Sequence, residues 1–173
     1  MTFSLYDATI PSTLQILRAL DALLDKAETF AVERGMAPAE LIEARLADDM
    51  LPLGYQVKAC AVHSIGAVES VGAGSFSPDR TPWPTDFAGL HTLIRDAIAR
   101  LEAIDPGAVD ALAEARTTFA FGQTVMPYTG ANFLLSFSQP NFYFHATTAY
   151  AILRSRGLAI GKRDFMGIPR FDR

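Results

Sequence analysis

Residues 4–24 read SLYDATIPSTLQILRALDALL, and they place Ile10, Leu14, Leu17, Leu20 and Leu24 at steps of four, three, three and four. That spacing lines one face of a helix, because 3.6 residues complete a turn. Ser4 followed by Asp7 has the form of a capping box, and Pro11 is tolerated near a helix start or as a kink. Gly35 stands where a C-terminal stop belongs, so the first helix is expected to end near Arg34.

Outward from this helix the chain repeats the pattern. Pro38 suits the first position of a new turn, and Leu41, Ile42 and Leu46 give a short amphipathic helix closed by Asp48 and Asp49. From Met50, Leu53, Val57, Cys60, Ala61, Ile65 and Val68 again follow helical period until Gly72 and Gly74 break it. Residues 72–84, with Pro78, Pro82 and Pro84, are expected to cross the surface as a loop. Thr85 then caps a third helix whose stripe is Phe87, Leu90, Ile94, Ile98, Leu101 and Ile104, and Asp105 with Pro106 ends it and starts a short successor through Ala115.

Thr117, Phe119 and Phe121 alternate before Gly122 and Gln123, the pattern of a small hairpin. The last long element starts near Thr129, carries Phe133, Leu134 and Phe137, and runs to Gly157, with Pro140 expected to kink or divide it. The expectation is an all-α protein: one domain over residues 1–173, a four-helix bundle with short extra helices and a small hairpin before the last helix.

Composition narrows the function. Lys and Arg number 15 against 19 Asp and Glu, a net charge of -4, so no global positive field draws the chain to nucleic acid. No apolar run approaches the roughly 18 residues of a membrane span, and the N-terminus lacks the features of a signal peptide, so a cytoplasmic protein is expected. Cys60, the only cysteine, sits between Ala59 and Ala61 and reads as a packed thiol in a reducing compartment. The basic tail, Arg154, Arg156, Lys162, Arg163, Arg170 and Arg173, reads as a solvated end. There is no glycine-rich phosphate loop, nucleophile elbow, paired-cysteine metal site or His-Glu-x-x-His helix.

Functional groups in helical bundles project inward from facing helices. The second helix offers Gln56, Cys60 and His63 at steps of four and three, and the last offers Asn141 and His145 one turn apart. These amides and imidazoles line a polar pocket if the two helices face each other, and such groups ligate a transition metal or orient a small substrate. The competing reading of each histidine is a hydrogen-bonded core residue, and His91 reads as a boundary residue. Asp48 and Asp49 read as solvated or as capping the next helix, and Phe142, Tyr143 and Phe144 as core and interface surface.

Two stretches, LADDMLPLGYQV (46–57) and QPNFYFHATTAYAILRSRGLAIGKRDFMG (139–167), resemble the DinB-like superfamily and within it the domain-of-unknown-function family 1993. The resemblance implies an up-down-down-up four-helix bundle, a homodimer, and a divalent metal such as zinc or nickel held by three histidines, one from the second helix and two from the fourth. Carried onto this chain, the fourth-helix pair falls on Asn141 and His145 and the second-helix position on Gln56, with His63 two turns further on. Two of the three expected imidazoles are therefore absent, and carboxamides bind zinc or nickel poorly.

Three readings stay open. The first is an uncharacterised DinB-like protein whose pocket, lined by Gln56, His63, Asn141 and His145, binds a small ligand or a vestigial metal. The second is a metal-dependent transferase or hydrolase in which His63 and His145 ligate the ion and Asp49 or a water completes the shell. The third is a structural or interaction dimer in which the polar stripe fixes helix register.

Overall fold

The computed structural model describes residues 3–171. Helix α1 (Leu5–Glu33) opens on the expected capping box, with Ser4 Oγ accepting from the Asp7 amide at 3.2 Å and the Asp7 carboxylate accepting from the Ser4 amide at 3.3 Å. It buries Ile10, Leu14, Leu17, Leu20 and Leu24, contains Pro11 without interruption, and is closed by Arg34. A short α2 (Pro38–Ile42) follows.

The second long helical run is unbroken from residue 53 to 73 but changes gauge: α3 (Leu53–Ala61), a π-helical turn π1 (Val62–Gly66), then α4 (Ala67–Ala73). Gly72 is still helical, so the expected loop begins later than residue 72. Asp86, not Thr85, caps α5 (Phe87–Glu102), its carboxylate accepting from the Gly89 amide at 2.7 Å. Asp105 caps α6 (Pro106–Ala111) in the same manner.

The all-α expectation is corrected by a small sheet of three strands. The anticipated hairpin is present as β2 (Arg116–Phe121) and β3 (Thr124–Thr129), with Phe121 opposite Thr124 and Gly122 at φ 58°, as the first central position of a type II′ turn requires. A third strand, β1 (Ser75–Phe76), lies parallel to β2 with Phe76 opposite Phe119. Two residues carry no readable periodicity; β1 exists because β2 offers it backbone partners.

The last long run, residues 130–155, is α7 (Gly130–Asn132), a second π-helical turn π2 (Phe133–Ser138) and α8 (Gln139–Ser155). Pro140 therefore does not divide it. Proline lacks an amide proton and its ring crowds the carbonyl four residues back, and the helix widens in the turn before it. The start of this run is pressed against the end of α6: a Cβ on Gly130 would lie 2.1 Å from the Leu112 carbonyl oxygen. Helix α9 (Lys162–Met166) closes the described chain.

Side-chain pairings give the helix directions. Arg18 meets Glu102 at 2.5 Å and Asp21 meets Arg95 at 3.0 Å, so α1 and α5 run antiparallel. Gln56 meets His145 at 2.7 Å and His63 meets Ser138, so the second and last runs are antiparallel too. Gln139 donates to the Ala8 carbonyl at 3.0 Å, and Phe30 lies beside Gly157, so α8 runs along α1 in the same direction. Glu69 pairs with Arg100 where α4 runs beside α5. Between these helices lie Leu17, Leu24, Val57, Leu90, Ile94, Phe133, Phe142 and Ile152, all 2% exposed or less. Each contributes about 1.5–3 kcal/mol by burial, more than any surface ion pair, so the apolar seams hold the helices in register. Among the described residues no helix is long and apolar enough to cross a membrane.

Candidate functional site

The seam between the second and last runs brings Gln56, His63, Asn141 and His145 together. Gln56 is 2% exposed, and its Nε2 donates to the Leu51 carbonyl at 2.8 Å. Its Oε1 is thereby left as the acceptor that faces His145 Nδ1 at 2.7 Å. An amide oxygen can only accept, so Nδ1 of His145 carries the proton and Nε2 carries a bare lone pair.

The same reasoning fixes His63. The Ser138 hydroxyl gives its single proton to the His63 carbonyl at 3.0 Å, so toward His63 Nδ1, 3.4 Å away, its oxygen serves as acceptor. His63 Nε2 is bare as well. Among the described residues neither Nε2 has a hydrogen-bond partner and neither is sealed from solvent. His63 lies in π1 and Ser138 ends π2, so two irregular turns on facing helices meet at this contact; π turns concentrate at functional sites. The rings lie 5.6 Å apart, centroid to centroid, with 16° between their planes.

Burial lowers both imidazoles. His145 falls to about 4 through desolvation, and His63 to about 4 through desolvation reinforced by the charge His145 would carry. Both are neutral at pH 7, the form that ligates or accepts.

They open onto a cavity of about 220 Å³. Its walls are largely aromatic: Phe76 lies 5.5 Å from His63, Tyr55 5.8 Å from His145, and Phe119 5.1 Å from Phe137. The small sheet supplies two of these rings, since the β1–β2 register sets Phe76 beside Phe119. Asn141 adds a polar group: its Nδ2 donates to the Phe137 carbonyl at 2.7 Å, and among the described residues its Oδ1 has no partner. Gln56 does not line the cavity and acts from behind His145.

A buried lysine holds the far wall. Lys58, 5% exposed, donates from Nζ to the Thr81 carbonyl at 2.5 Å and the Thr81 hydroxyl at 2.8 Å, and pairs with Asp79 at 3.0 Å. This ties Pro78 and Asp79, on the loop after β1, to the cavity mouth. Burial pushes the Asp79 carboxyl up, but hydrogen bonds from Thr81 and Lys58 outweigh it and hold the group below its ordinary value.

Of the remaining expectations, the one for His91 is corrected. His91 is not a boundary residue: it is 7% exposed, its Nδ1 2.5 Å from Asp21, and its Nε2 sealed from solvent 3.4 Å from Asp25. Asp48 and Asp49 are exposed, and Asp49 does not reach the cavity; Pro52 occupies the cap of α3. Cys60 is fully buried and burial pushes its thiol up, as a packed thiol requires. The basic tail is exposed at Arg154, Arg156, Lys162, Arg163 and Arg170, as a solvated end requires, and Arg173 lies outside the described residues; Arg163 and Arg170 line a groove of about 640 Å³ with Arg18 and Lys26 of α1, and Lys26 pairs with Asp164. Lys58, Tyr55, Phe76, Asp79 and Phe119 were not singled out from sequence. The available signals were a lysine inside an apolar helical stretch and the alternation of Thr117, Phe119 and Phe121.

The donor set does not fit a three-histidine metal centre. Gln56, at the position where the resemblance places a ligand, has both amide atoms engaged, and the Asn141 amide nitrogen is held by its own helix. Among the described residues no three His, Cys, Asp or Glu side chains converge as a metal site. What remains is a pair of neutral imidazoles over an aromatic cavity.

The fold is mostly helical with a three-stranded sheet, and a solved structure shares it: a DinB family member protein from Shewanella denitrificans, at 1.83 Å resolution, is similar with a TM-score of 0.81 and 29% identity over 98% of this chain and 95% of that one. The chain belongs to the family described as a domain of unknown function, DUF1993, whose model matches residues 5–166. No curated protein matches it.

Proposed function

We propose that this DUF1993 protein binds a small organic molecule in the cavity between the second and last helical runs. His63 Nε2, His145 Nε2 and Asn141 Oδ1 contact the ligand, and Gln56 fixes the His145 tautomer from behind. The observation that carries this reading is the pair of neutral imidazoles whose Nδ1 protons are committed to protein acceptors, while both Nε2 atoms stay unpartnered beside a cavity. We also read the four long runs as an up-down-down-up bundle; the antiparallel pairings of α1 with α5 and of α3 with α8, and the parallel run of α1 beside α8, support it.

Long-range proton–nitrogen correlation spectra of labelled protein test the site. At pH 7, His63 and His145 are expected as neutral Nδ1–H tautomers. A mixture of fragments at about 1 mM, the weak-binding range for such molecules, moves their resonances and leaves His91 in place. If no fragment moves the pair, or if His91 moves equally, the cavity is not a binding site.

A further inference from the structure

The groups facing the cavity are almost all acceptors, and that selects the ligand. Most donor groups of the site are engaged within the protein, while the second N–H of Asn141 and the Tyr55 hydroxyl have no partner among the described residues. The Gln56 amide goes to Leu51, the Asn141 amide to Phe137, the Ser138 hydroxyl to His63, and the Lys58 ammonium to Thr81 and Asp79. Among the residues that line the cavity, the atoms left without a partner include His63 Nε2, His145 Nε2 and Asn141 Oδ1, and Asp79 adds a carboxylate. The Tyr55 hydroxyl both donates and accepts, and with the second Asn141 N–H it leaves acceptors in the majority.

An anion placed here would meet the lone pairs of two neutral imidazoles and the Asp79 carboxylate, with only the second Asn141 N–H and the Tyr55 hydroxyl to answer it. A donor-poor neutral molecule would leave the imidazoles desolvated and unpaired, which costs free energy for each buried acceptor. A primary ammonium offers three protons to three acceptors, and the cavity lined by Phe76, Phe119 and Phe137 supplies aromatic rings against which a cation is stabilised. The Lys58 charge does not oppose it, because Asp79 sits against that ammonium at 3.0 Å.

Resting on the binding reading above, we infer that the cavity ligand is a small primary amine, bound as its ammonium by His63, His145 and Asn141, with an apolar or aromatic body against the phenylalanine wall. Benzylamine, benzyl alcohol and benzoate share one ring and differ at the group that would meet the imidazoles, so they serve as probes in calorimetric and NMR titrations of the full chain at pH 7. Benzylamine is expected to bind about tenfold or more tightly than either analogue, the loss expected when a charge-assisted hydrogen bond is removed. Asn141→Leu and His145→Phe variants, each checked for a native circular dichroism spectrum, lose about tenfold in benzylamine affinity. Retained affinity in a folded Asn141→Leu protein overturns the assignment even if the His145 variant fails to fold. Benzoate or benzyl alcohol binding as tightly as the amine overturns the ammonium while the cavity reading stands, and so does a cavity that takes Ni²⁺ but no amine. If neither these probes nor the fragment mixture shifts the His63 and His145 resonances, both readings fall.

Discussion

His63 and His145, between the second and last helical runs, and His91, between the first and third, occupy the same kind of antiparallel seam with different outcomes. The first two meet only neutral partners: a carboxamide on one ring and a hydroxyl on the other. His91 faces Asp21 and Asp25, one turn apart on α1, while Arg95, one turn further along α5, holds the other oxygen of Asp21. Asp21 holds Nδ1 of His91 at 2.5 Å, while its Nε2, 3.4 Å from the Asp25 carboxylate, is shut away from water without a hydrogen bond; amide and hydroxyl each secure Nδ1 of the cavity pair and leave an Nε2 that reaches solvent. The partner across the seam, not the histidine, decides how the ring is held and whether its second nitrogen reaches solvent. The cavity lined by Phe76, Phe119 and Phe137 lies on the side where the partners are neutral.

The largest expected difference between the two seams is in acid. His63 and His145 sit near 4 in the folded protein against about 6.5 in an unfolded chain, so the unfolded state binds more protons between those values. Stability is therefore full above about pH 6.5 and is lost as pH falls toward 4, by on the order of 3 kcal/mol for one ring and less than double that for the coupled pair. Urea denaturation at pH 7 and pH 4.5 measures it. The comparison breaks if a His63→Gln, His145→Gln double variant keeps the full acid sensitivity of the parent protein. Next in size, His91→Ala is expected to cost about 2–3 kcal/mol at pH 7, by opening a void in the α1–α5 seam and removing a buried partner of Asp21. Benzylamine binding should be unchanged in that variant, because the cluster does not touch the cavity.

Much of this was legible in the sequence, and what was not has physical causes. The stripe from Ile10 to Leu24 specifies its helix because one face repeats without exception, and the matching i, i+4 spacings of Gln56 and Cys60 and of Asn141 and His145 marked the seam that holds the cavity. The two π turns left no mark: an inserted residue rotates the following stripe by only about 100°, and small or apolar residues such as Ala61, Val62 and Ile65 fit either phase. Strand β1 is too short for any period, so Phe76 could not be placed beside His63 in advance. Lys58 was hidden because its partners, Asp79 and Thr81, lie across a loop whose path sequence does not fix. The His91 cluster could have been found: Asp21 with Asp25 and His91 with Arg95 are paired one-turn spacings of opposite character on two predicted helices.

Two smaller effects sharpen the contrast from either side. Gln56→Glu puts a carboxylate against His145 Nδ1 and gives the cavity seam the chemistry of the other one. The His145 pKa is expected to rise by about one unit or more, read from an NMR titration, because an adjacent negative charge favours the imidazolium. An unchanged value would mean that desolvation alone governs the ring. The smallest effect belongs to Arg95→Ala. Arg95 is more than half exposed, and its contact with Asp21 is screened by solvent, whereas the Asp21 oxygen that meets His91 lies in the buried part of the seam. Its loss should move the urea midpoint by well under half the shift of His91→Ala. Equal shifts would show that the guanidinium, and not the two carboxylates, holds His91 in place, and the distinction drawn here between neutral and charged partners would then have to be redrawn around Arg95.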